Sequence, residues 1–431
     1  MKFYIYTAGC KANQWDSYII SERLRHAGLI PSLLSDTDVV VINACTVTDN
    51  AERDIRRFVN HVRQTNKNVK IILTGCHAQV YSDKDCDADL VLGNYEKFHV
   101  EQWLHHRGRY VSPLQTNFLE EHCSDGLPTN KTRFFFKIQD GCNQFCTYCI
   151  VPYARGGPRS RSIQDIVQVL STLKEKGVQE VVLTGIELSL YMDTATGHDL
   201  TDLLHALEQS DTPQRIRLSS INPLYINDRF ITAVAQSHKI AKHIHISLQS
   251  GSDRILESMG RKYTRTMVDD SIHKLQTGIT DVAIGVDVIA GFPTEDDAAF
   301  METYRFLEKS PIYYMHIFPF SPRQGTVAST MTPAVPESVK RKRVQMLRQL
   351  DGLKRKAFCM RFMNRRVKIL PEAKKYNTVL MRGYTDNYIP VTIPFTKNLI
   401  NKFTEVAIKE LQGTVLVGTV IEPSRAVSNF I

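Results

Sequence analysis

The feature that most constrains this chain is a cysteine placed again and again after a short β-branched run. Residues 2–7, 38–43 and 69–74 are such runs, and Cys10, Cys45 and Cys76 follow them within two or three residues. The cysteines are 35 and 31 residues apart, close to the ~30 residues of a strand–helix–strand unit. Between the runs, residues 14–27 lack glycine and proline and stop at Gly28, a helix C-terminal signal. Asp49 and Glu52 form a capping-box-like start, after which Ile55, Val59 and Val62 keep helical spacing. Strands joined by crossover helices pair in parallel, and a parallel sheet gathers its strand ends on the edge where α/β proteins place ligands. Cys10, Cys45 and Cys76 are therefore expected to converge. The alternative is three unrelated buried cysteines, a common fate of that residue.

Residues 111–132, with Pro113, Gly126 and Pro128, read as a linker. A longer alternation follows, with strand-like runs at 134–138, 180–184, 215–219, 243–248, 282–289 and 313–318. Helical segments lie between them, such as 162–176, capped by Ser162 and ended by Gly177. Six such units are too few for an eightfold barrel and enough for a partial one, whose chemistry belongs at the C-terminal strand ends. Those ends carry Thr184-Gly185-Ile186-Glu187, Ser219-Ser220-Ile221-Asn222, Ser247-Leu248-Gln249-Ser250-Gly251 and Asp287-Val288-Ile289-Ala290-Gly291-Phe292-Pro293. Small and polar residues there suit a polar pocket, and equally an ordinary turn.

Residues 340–358 read as a basic helix with Met346, Leu350, Leu353 and Ala357 as its apolar stripe and Arg341, Arg348 and Arg355 as a solvated row. Runs at 366–370, 378–383, 389–393, 405–410 and 414–421 then suggest a small β-barrel, an architecture often used for oligonucleotides. The expected fold class is α/β in three parts: an N-terminal parallel-sheet βα domain over 1–110, a partial (βα)6 TIM-like barrel over 128–356, and a C-terminal small β-barrel over 359–425.

Composition narrows the setting. No apolar stretch approaches the ~20 residues of a membrane helix, so no membrane partner is expected. The opening Met1-Lys2-Phe3-Tyr4-Ile5-Tyr6 meets polar residues too soon for a signal peptide. Nine cysteines, an odd number without a secretory signal, do not read as a disulfide framework; a cytoplasmic protein with reduced or metal-bound thiols is expected. Lysine and arginine number 54 against 45 acidic residues, a net charge of +9. That excess fits a nucleic-acid partner or simply a basic surface.

A second triplet is compact: Cys142, Cys146 and Cys149 stand in the run Asp140-Gly141-Cys142-Asn143-Gln144-Phe145-Cys146-Thr147-Tyr148-Cys149, while Cys86, Cys123 and Cys359 stand apart. A 4Fe–4S cluster normally takes four thiolates, so three leave one iron open. An open metal position marks a reactive site. The alternative is a zinc site whose fourth ligand is missing or remote, although zinc favours paired C-x2-C units.

The run Cys142 to Cys149, after the first strand of a six-unit barrel, resembles the signature of radical S-adenosylmethionine enzymes. The resemblance implies a 4Fe–4S cluster on Cys142, Cys146 and Cys149 whose open iron chelates S-adenosylmethionine and passes it an electron. It also places Tyr148, Gly185, Glu187, Ser220, Gln249 and Asp287 near that cofactor. The likeness extends over nearly the whole chain and narrows to the methylthiotransferases, built of a cysteine-triplet domain, a radical barrel and a TRAM barrel. It is carried by Ala8-Gly9-Cys10-Lys11-Ala12-Asn13-Gln14, Asn43-Ala44-Cys45-Thr46-Val47-Thr48, Thr74-Gly75-Cys76, Gly156-Gly157-Pro158-Arg159-Ser160-Arg161, Arg217-Leu218-Ser219-Ser220-Ile221, His245-Ile246-Ser247-Leu248-Gln249-Ser250-Gly251-Ser252 and Phe320-Ser321-Pro322-Arg323. In such enzymes Cys10, Cys45 and Cys76 would hold a second 4Fe–4S cluster that supplies or carries sulfur. An electron donor and a sulfur donor are implied as partners.

Cys10-Lys11-Ala12-Asn13-Gln14, Cys45-Thr46-Val47-Thr48 and Gly383-Tyr384-Thr385-Asp386-Asn387-Tyr388-Ile389 most resemble the enzymes acting on threonylcarbamoyladenosine in the tRNA anticodon loop. Enzymes acting on isopentenyladenosine in tRNA or on a ribosomal-protein aspartate share the chemistry. A non-catalytic iron–sulfur tRNA-binding protein would have closed, four-ligand sites. Ala8, Ala44 and Thr294 depart from the family's usual residues, the last standing where glycine is common. Tyr384, Tyr388 and Phe395 are candidate RNA contacts or barrel packing. Arg155, Arg159 and Arg161 could meet phosphates or brace their loop.

Overall fold

A computed structural model of the chain describes residues 1–46, 49–81, 87–114, 132–375 and 379–421, the side chains of 49–52 and 374–375 excepted. Val47, Thr48, Cys86, Cys123, Gly126, Pro128 and the proposed Asp49–Glu52 cap lie outside the described residues or side chains.

The first unit is a six-stranded sheet of β1 (Lys2–Thr7), β2 (Ile30–Pro31), β3 (Val39–Ala44), β4 (Lys70–Gly75), β5 (Leu90–Leu92) and β6 (Gly108–Tyr110), ordered β2-β1-β3-β4-β5-β6. Every pairing in it is parallel. β3 and β4 are almost wholly apolar and buried, as a strand covered on both faces must be. Helices α1 (Lys11–His26), α2 (Asp49–Thr65) and α3 (Cys76–Val80) follow β1, β3 and β4. The register pairs Thr7 with Asn43 and Asn43 with Thr74, so the three cysteine-bearing ends are level on adjacent strands.

The central unit has β7 (Arg133–Lys137), the two-residue pair β8 (Gln139–Asp140) and β9 (Arg159–Ser160), then β10 (Glu180–Thr184), β11 (Arg215–Leu218), β12 (His243–Gln249), β13 (Ala283–Ala290) and β14 (Tyr314–Pro319). Parallel sheets β11-β10-β7 and β12-β13-β14 are joined by bridges from Ile216 to Ile240 and from Ile221 to Ile246. Six parallel strands thus form a partial barrel, each within two residues of its expected run. One hydrophobic core runs through it and takes in Trp15 and Ile19 of α1. Trp15 lies 5.0 Å from the Phe136 ring and 5.8 Å from that of Phe134, which seats the first unit against β7.

The closing helix Glu337–Met360 corrects one expectation. Its buried face is Lys340, Arg343, Val344, Leu347, Leu350, Phe358 and Cys359, while Leu353 is 66% exposed and Ala357 is exposed. Leu350 is buried and Met346 half-buried against the core, as expected. Arg343, however, reaches its buried position because Glu295 pairs with it at 2.7 Å, so counting apolar residues alone left the stripe rotated away from the true face. Arg341 and Arg348 are exposed, as expected, whereas Arg355 is half-buried, paired with Asp351 at 2.8 Å and lying over the Tyr314 ring.

The last unit is a closed barrel of β15 (Arg366–Lys375), β16 (Leu380–Tyr384), β17 (Pro390–Pro394), β18 (Thr404–Gln412) and β19 (Val415–Val420), ordered β15-β16-β17-β19-β18. It packs on the N-terminal ends of the central strands. Arg217 donates to the carbonyls of Asp386 and Thr385 at 2.5 and 2.6 Å, and Arg215 to that of Tyr384 at 2.9 Å. Glu180 holds both guanidiniums and that of Arg133. Tyr384 and Tyr388 stack 5.0 Å apart with Arg133 over both rings, and Arg133 donates to the Tyr388 hydroxyl at 3.0 Å. These tyrosines serve the joint between the two barrels, and Phe395 packs against the small barrel's core. Cys359 is buried in that core, far from the other cysteines in the fold. Among the described residues no helix is long and apolar enough to cross a membrane.

Candidate functional site

The cysteine-bearing edge of the first sheet faces the C-terminal strand ends of the partial barrel. Cys10 is the N-cap of α1, and Cys76 opens α3. Gly9 lies so close to Cys45 that a Cβ there would come within 2.4 Å of the Cys45 Cβ and 2.7 Å of its Sγ. Cys10 and Cys76 are near enough to feel each other's charge. The sheet edge therefore brings the dispersed triplet together.

The compact triplet lies in the loop between β8 and α4 (Val151–Arg155). The amide of Cys142 donates to the Gly156 carbonyl, and that of Cys149 to the Cys146 carbonyl, each at 2.9 Å. Gly141 stands at φ +72°, and a Cβ on it would overlap the Gly157 carbonyl, so only glycine lets this loop close. Burial pushes the Cys142 thiol up to about 11 and the Cys149 thiol up to about 12, and raises Cys10 as well. Thiols so enclosed stay protonated unless a cation faces them, and bound metal is the cation that deprotonates a ligating thiol outright. Each triplet also has a guanidinium on one sulfur: Arg155 Nε is 3.3 Å from Cys76 Sγ, and Arg261 Nη1 is 3.2 Å from Cys146 Sγ. The donor sets fit clusters.

Arg155 is fully buried and links the two units. It donates to both oxygens of Asp140 at 3.0 and 3.1 Å, to Asn13 Oδ1 at 2.5 Å and to Asp16 at 2.9 Å. Asp16 also takes Lys97 at 2.7 Å and Lys137 at 2.5 Å, and Lys137 returns to Asp140 at 2.9 Å. Burial alone would raise Asp16, but Lys137, Lys97 and Arg155 outweigh it and hold the carboxyl well below its ordinary range. Three buried cations, joined by Arg159 at 3.4 Å from Asp140, thus meet two carboxylates, and the guanidinium of Arg155 lies against Cys76. Arg159 and Arg161 brace the same loop: Arg159 donates to the Arg155 carbonyl at 2.7 Å, and Arg161 pairs with Asp165 at 2.8 Å.

A cavity of about 350 Å³ opens between the triplets, with Cys10 on one wall and Cys149 on the other. Tyr148, Gln249, Asp287 and Arg323 line it among Ile150, Ile186, Ile289, Phe318 and Phe320. A smaller cavity of about 190 Å³ has Cys146, Glu187, Asn222 and Arg261 on its wall. The six residues expected near the cofactor are therefore divided. Tyr148, Gln249 and Asp287 line the first cavity and Glu187 the second, while Gly185 and Ser220 line neither. Gly185 is instead packed on Gln139, whose Oε1 accepts from the amides of Ile186 and Glu187 at 2.9 and 3.0 Å. Thr294, where glycine was expected, holds φ +68°, the left-handed conformation that glycine adopts most freely.

The inner face of β12–β14 carries groups whose role the sequence did not disclose. Asp287 Oδ1 is 2.9 Å from His245 Nε2 and 3.3 Å from His316 Nδ1, and the Tyr314 hydroxyl is 2.9 Å from both His243 Nε2 and His245 Nδ1. Burial would raise Asp287, but the two histidines hold it far below its ordinary value. The spacing His243-x-His245 and Tyr314-x-His316 was the available signal, since alternate residues of a strand share a face. Asp16 and Lys97 left no such trace, while Arg155, read as meeting phosphates or bracing its loop, does the second.

The radical SAM superfamily pattern matches residues 136–307, and Uncharacterized protein family UPF0004 matches residues 2–93. The chain is 38% identical to the threonylcarbamoyladenosine tRNA methylthiotransferase MtaB of Aquifex aeolicus, covering 90% of this chain and 96% of that one. It is 31% identical to the tRNA-2-methylthio-N(6)-dimethylallyladenosine synthase of Oceanobacillus iheyensis, over 98% and 84% of the two chains. The radical S-adenosylmethionine methyltransferase TsrM of Kitasatospora setae shares the fold, with a TM-score of 0.57 at 12% identity over 81% of this chain and 84% of that one.

Proposed function

Since the chain belongs to the radical S-adenosylmethionine methylthiotransferases, we propose that it replaces the C2 hydrogen of N6-threonylcarbamoyladenosine, at position 37 in the tRNA anticodon loop, with a methylthio group. One observation carries the reading: a single cavity has Cys10 of the dispersed triplet and Cys149 of the compact triplet on its walls. A base held there would have both triplets within reach of one carbon.

Cys142, Cys146 and Cys149 would hold the 4Fe–4S cluster that the radical family implies, and Cys10, Cys45 and Cys76 a second one. When bound, the clusters and S-adenosylmethionine supply one-electron chemistry, sulfur and methyl to a C2–H bond that is neither acidic nor electrophilic enough for ordinary substitution. The protein's share is positioning. Gln249 and Asp287 offer polar contacts at the strand ends, Tyr148 and Glu187 flank the compact triplet, and Gly185 and Ser220 shape the adjoining ends. Ile150, Ile186, Ile289, Phe318 and Phe320 present apolar surface that excludes water from the reacting groups. An anticodon loop suits so enclosed a site, because its bases can be splayed out without opening a duplex.

The test is anaerobic reaction of the reconstituted protein with tRNA carrying either threonylcarbamoyladenosine or isopentenyladenosine, followed by nucleoside mass spectrometry. The expected product is the 2-methylthio form of the first. Methylthiolation of isopentenyladenosine alone would keep the chemistry and overturn the substrate; absence of both products would overturn the function.

A further inference from the structure

Lys11 directly follows Cys10, in the first turn of α1, and extends toward the inner face of the partial barrel. Its charge is felt there by Asp287 on β13, by His243 and His245 on β12, and by the guanidiniums of Arg133 and Arg217. The residue remains open to solvent although protein surrounds it. Among the described residues its ammonium makes no hydrogen bond and no ion pair. The other cations nearby are engaged. Arg133, Arg215 and Arg217 are held by Glu180, and Arg323 on the cavity wall donates to the Thr46 carbonyl at 3.3 Å and to the Ser321 hydroxyl. A solvent-open cation without a counter-ion, directly after the Cys10 that lines the cavity, is free to take an anion from a bound substrate.

We propose that Lys11, together with His316 of the same inner face, forms a subsite for the carboxylate carried on the N6 substituent of the substrate adenosine. The proposal rests on the functional reading above. With C2 of the base toward Cys10 and Cys149, the N6 group lies beyond N1 and leads away from the triplets. The inner face of β13 and β14 is what it meets. There the His316 side chain is half-exposed, and Lys11 supplies a charge of the opposite sign. Asp287, which can only accept, suits a hydroxyl or carbamoyl N–H of the same substituent. A neutral isopentenyl group would leave Lys11 unpaired and desolvated. The subsite therefore selects by charge, and a site built around a buried polar group rejects analogues that leave it unpaired.

The experiment compares two synthetic anticodon stem-loops, one with N6-threonylcarbamoyladenosine and one with its carboxylate methyl ester. Wild-type protein and the Lys11→Met, Lys11→Arg and His316→Asn variants are assayed after reconstitution. Iron content and S-adenosylmethionine cleavage are measured beside KM. Lys11→Met is expected to raise KM for the acid at least tenfold and that for the ester less than threefold, with iron retained. Lys11→Arg should recover most of the loss, and His316→Asn should repeat the acid-selective effect more weakly. Equal losses on acid and ester, or unchanged KM on both, would overturn the subsite while leaving the function standing. Should Lys11→Met lose iron, His316→Asn and Lys11→Arg decide, and a KM ratio like wild type for His316→Asn together with no acid preference in Lys11→Arg counts against it. Wild-type protein inert on both stem-loops would overturn the functional reading and the subsite with it.

Discussion

The two cysteine triplets reach one cavity by opposite routes. Cys142, Cys146 and Cys149 lie within eight residues of sequence on one loop, closed by Gly141 and by local backbone hydrogen bonds. Cys10, Cys45 and Cys76 sit on three loops, and only the register of β1, β3 and β4 makes their ends level. A one-residue slip in a strand turns every side chain to the other face, so this second arrangement exists only when the sheet has formed correctly. The routes are also joined. Arg155, six residues beyond Cys149, crosses to the Cys76 sulfur, so the compact loop furnishes the guanidinium of the dispersed triplet. The difference teaches that a local site tolerates change elsewhere in the chain, whereas a dispersed one inherits the stability of the whole domain.

The largest expected effect separates the two. Cys142→Ala removes a ligand of the compact triplet, so both reductive cleavage of S-adenosylmethionine and methylthiolation of tRNA should vanish. Cys45→Ala should abolish methylthiolation and leave cofactor cleavage, with bound iron falling from about eight to about four per chain. Both products and the iron are measured in one anaerobic preparation. Cys45→Ala protein that still methylthiolates at full yield would break the comparison, because the dispersed triplet would then have no part in sulfur transfer.

Legibility in the sequence followed the same division. A short-range motif reveals the compact triplet, and a strand period reveals the dispersed one, since β-branched runs and interval lengths are local quantities. What surrounds them is not local. Lys97 meets Asp16 across 81 residues, and Arg155 meets the same carboxylate across 139. No periodicity encodes such pairs, which arise from docking α1 against β7. Tyr384 and Tyr388 could be assigned to neither RNA nor packing until the joint between barrels placed Arg133 over them. The face of the last helix was only half legible for a related reason: Arg343 is buried by Glu295, and Lys340 reaches the Phe320 carbonyl, both on other elements.

Arg155 and Arg261 sharpen the comparison at intermediate size. Arg155→Met strips Asp16 and Asp140 of a buried partner, a change that costs about 3–5 kcal/mol when a buried pair is broken. Arg261 donates instead to the Tyr263 hydroxyl, the Ser247 carbonyl and Cys146, so Arg261→Met breaks no direct ion pair, although buried Glu187 loses a nearby positive charge, and should cost about 1–3 kcal/mol. Urea unfolding of the two apo-proteins reads the difference directly. Equal stabilities would mean that the Asp16–Asp140 network does not hold the first unit to the barrel.

The smallest effect, that of Gly28→Ala, serves as the reference that isolates a single contact. Gly9 and Gly28 flank α1, and both take left-handed backbone, at φ +102° and +84°. Alanine is strained at either position by roughly 1 kcal/mol. Their surroundings differ completely. A Cβ on Gly28 meets nothing within 4 Å, whereas one on Gly9 would come within 2.4 Å of the Cys45 Cβ and 2.7 Å of its sulfur. Gly28→Ala should therefore lower the melting temperature slightly and leave iron binding intact. Gly9→Ala must push Cys45 aside and should add about 1–3 kcal/mol of overpacking cost to the same backbone strain. Because the clash bears on Cys45 alone, the variant should lose iron from the dispersed triplet while the compact triplet keeps its share and still cleaves S-adenosylmethionine. Iron content and melting temperature of the two alanine variants give the answer side by side. If Gly9→Ala keeps its full iron, the Cys10 and Cys45 loops have slack that their packing does not show, and the dispersed triplet is sturdier than its construction from three strand ends implies.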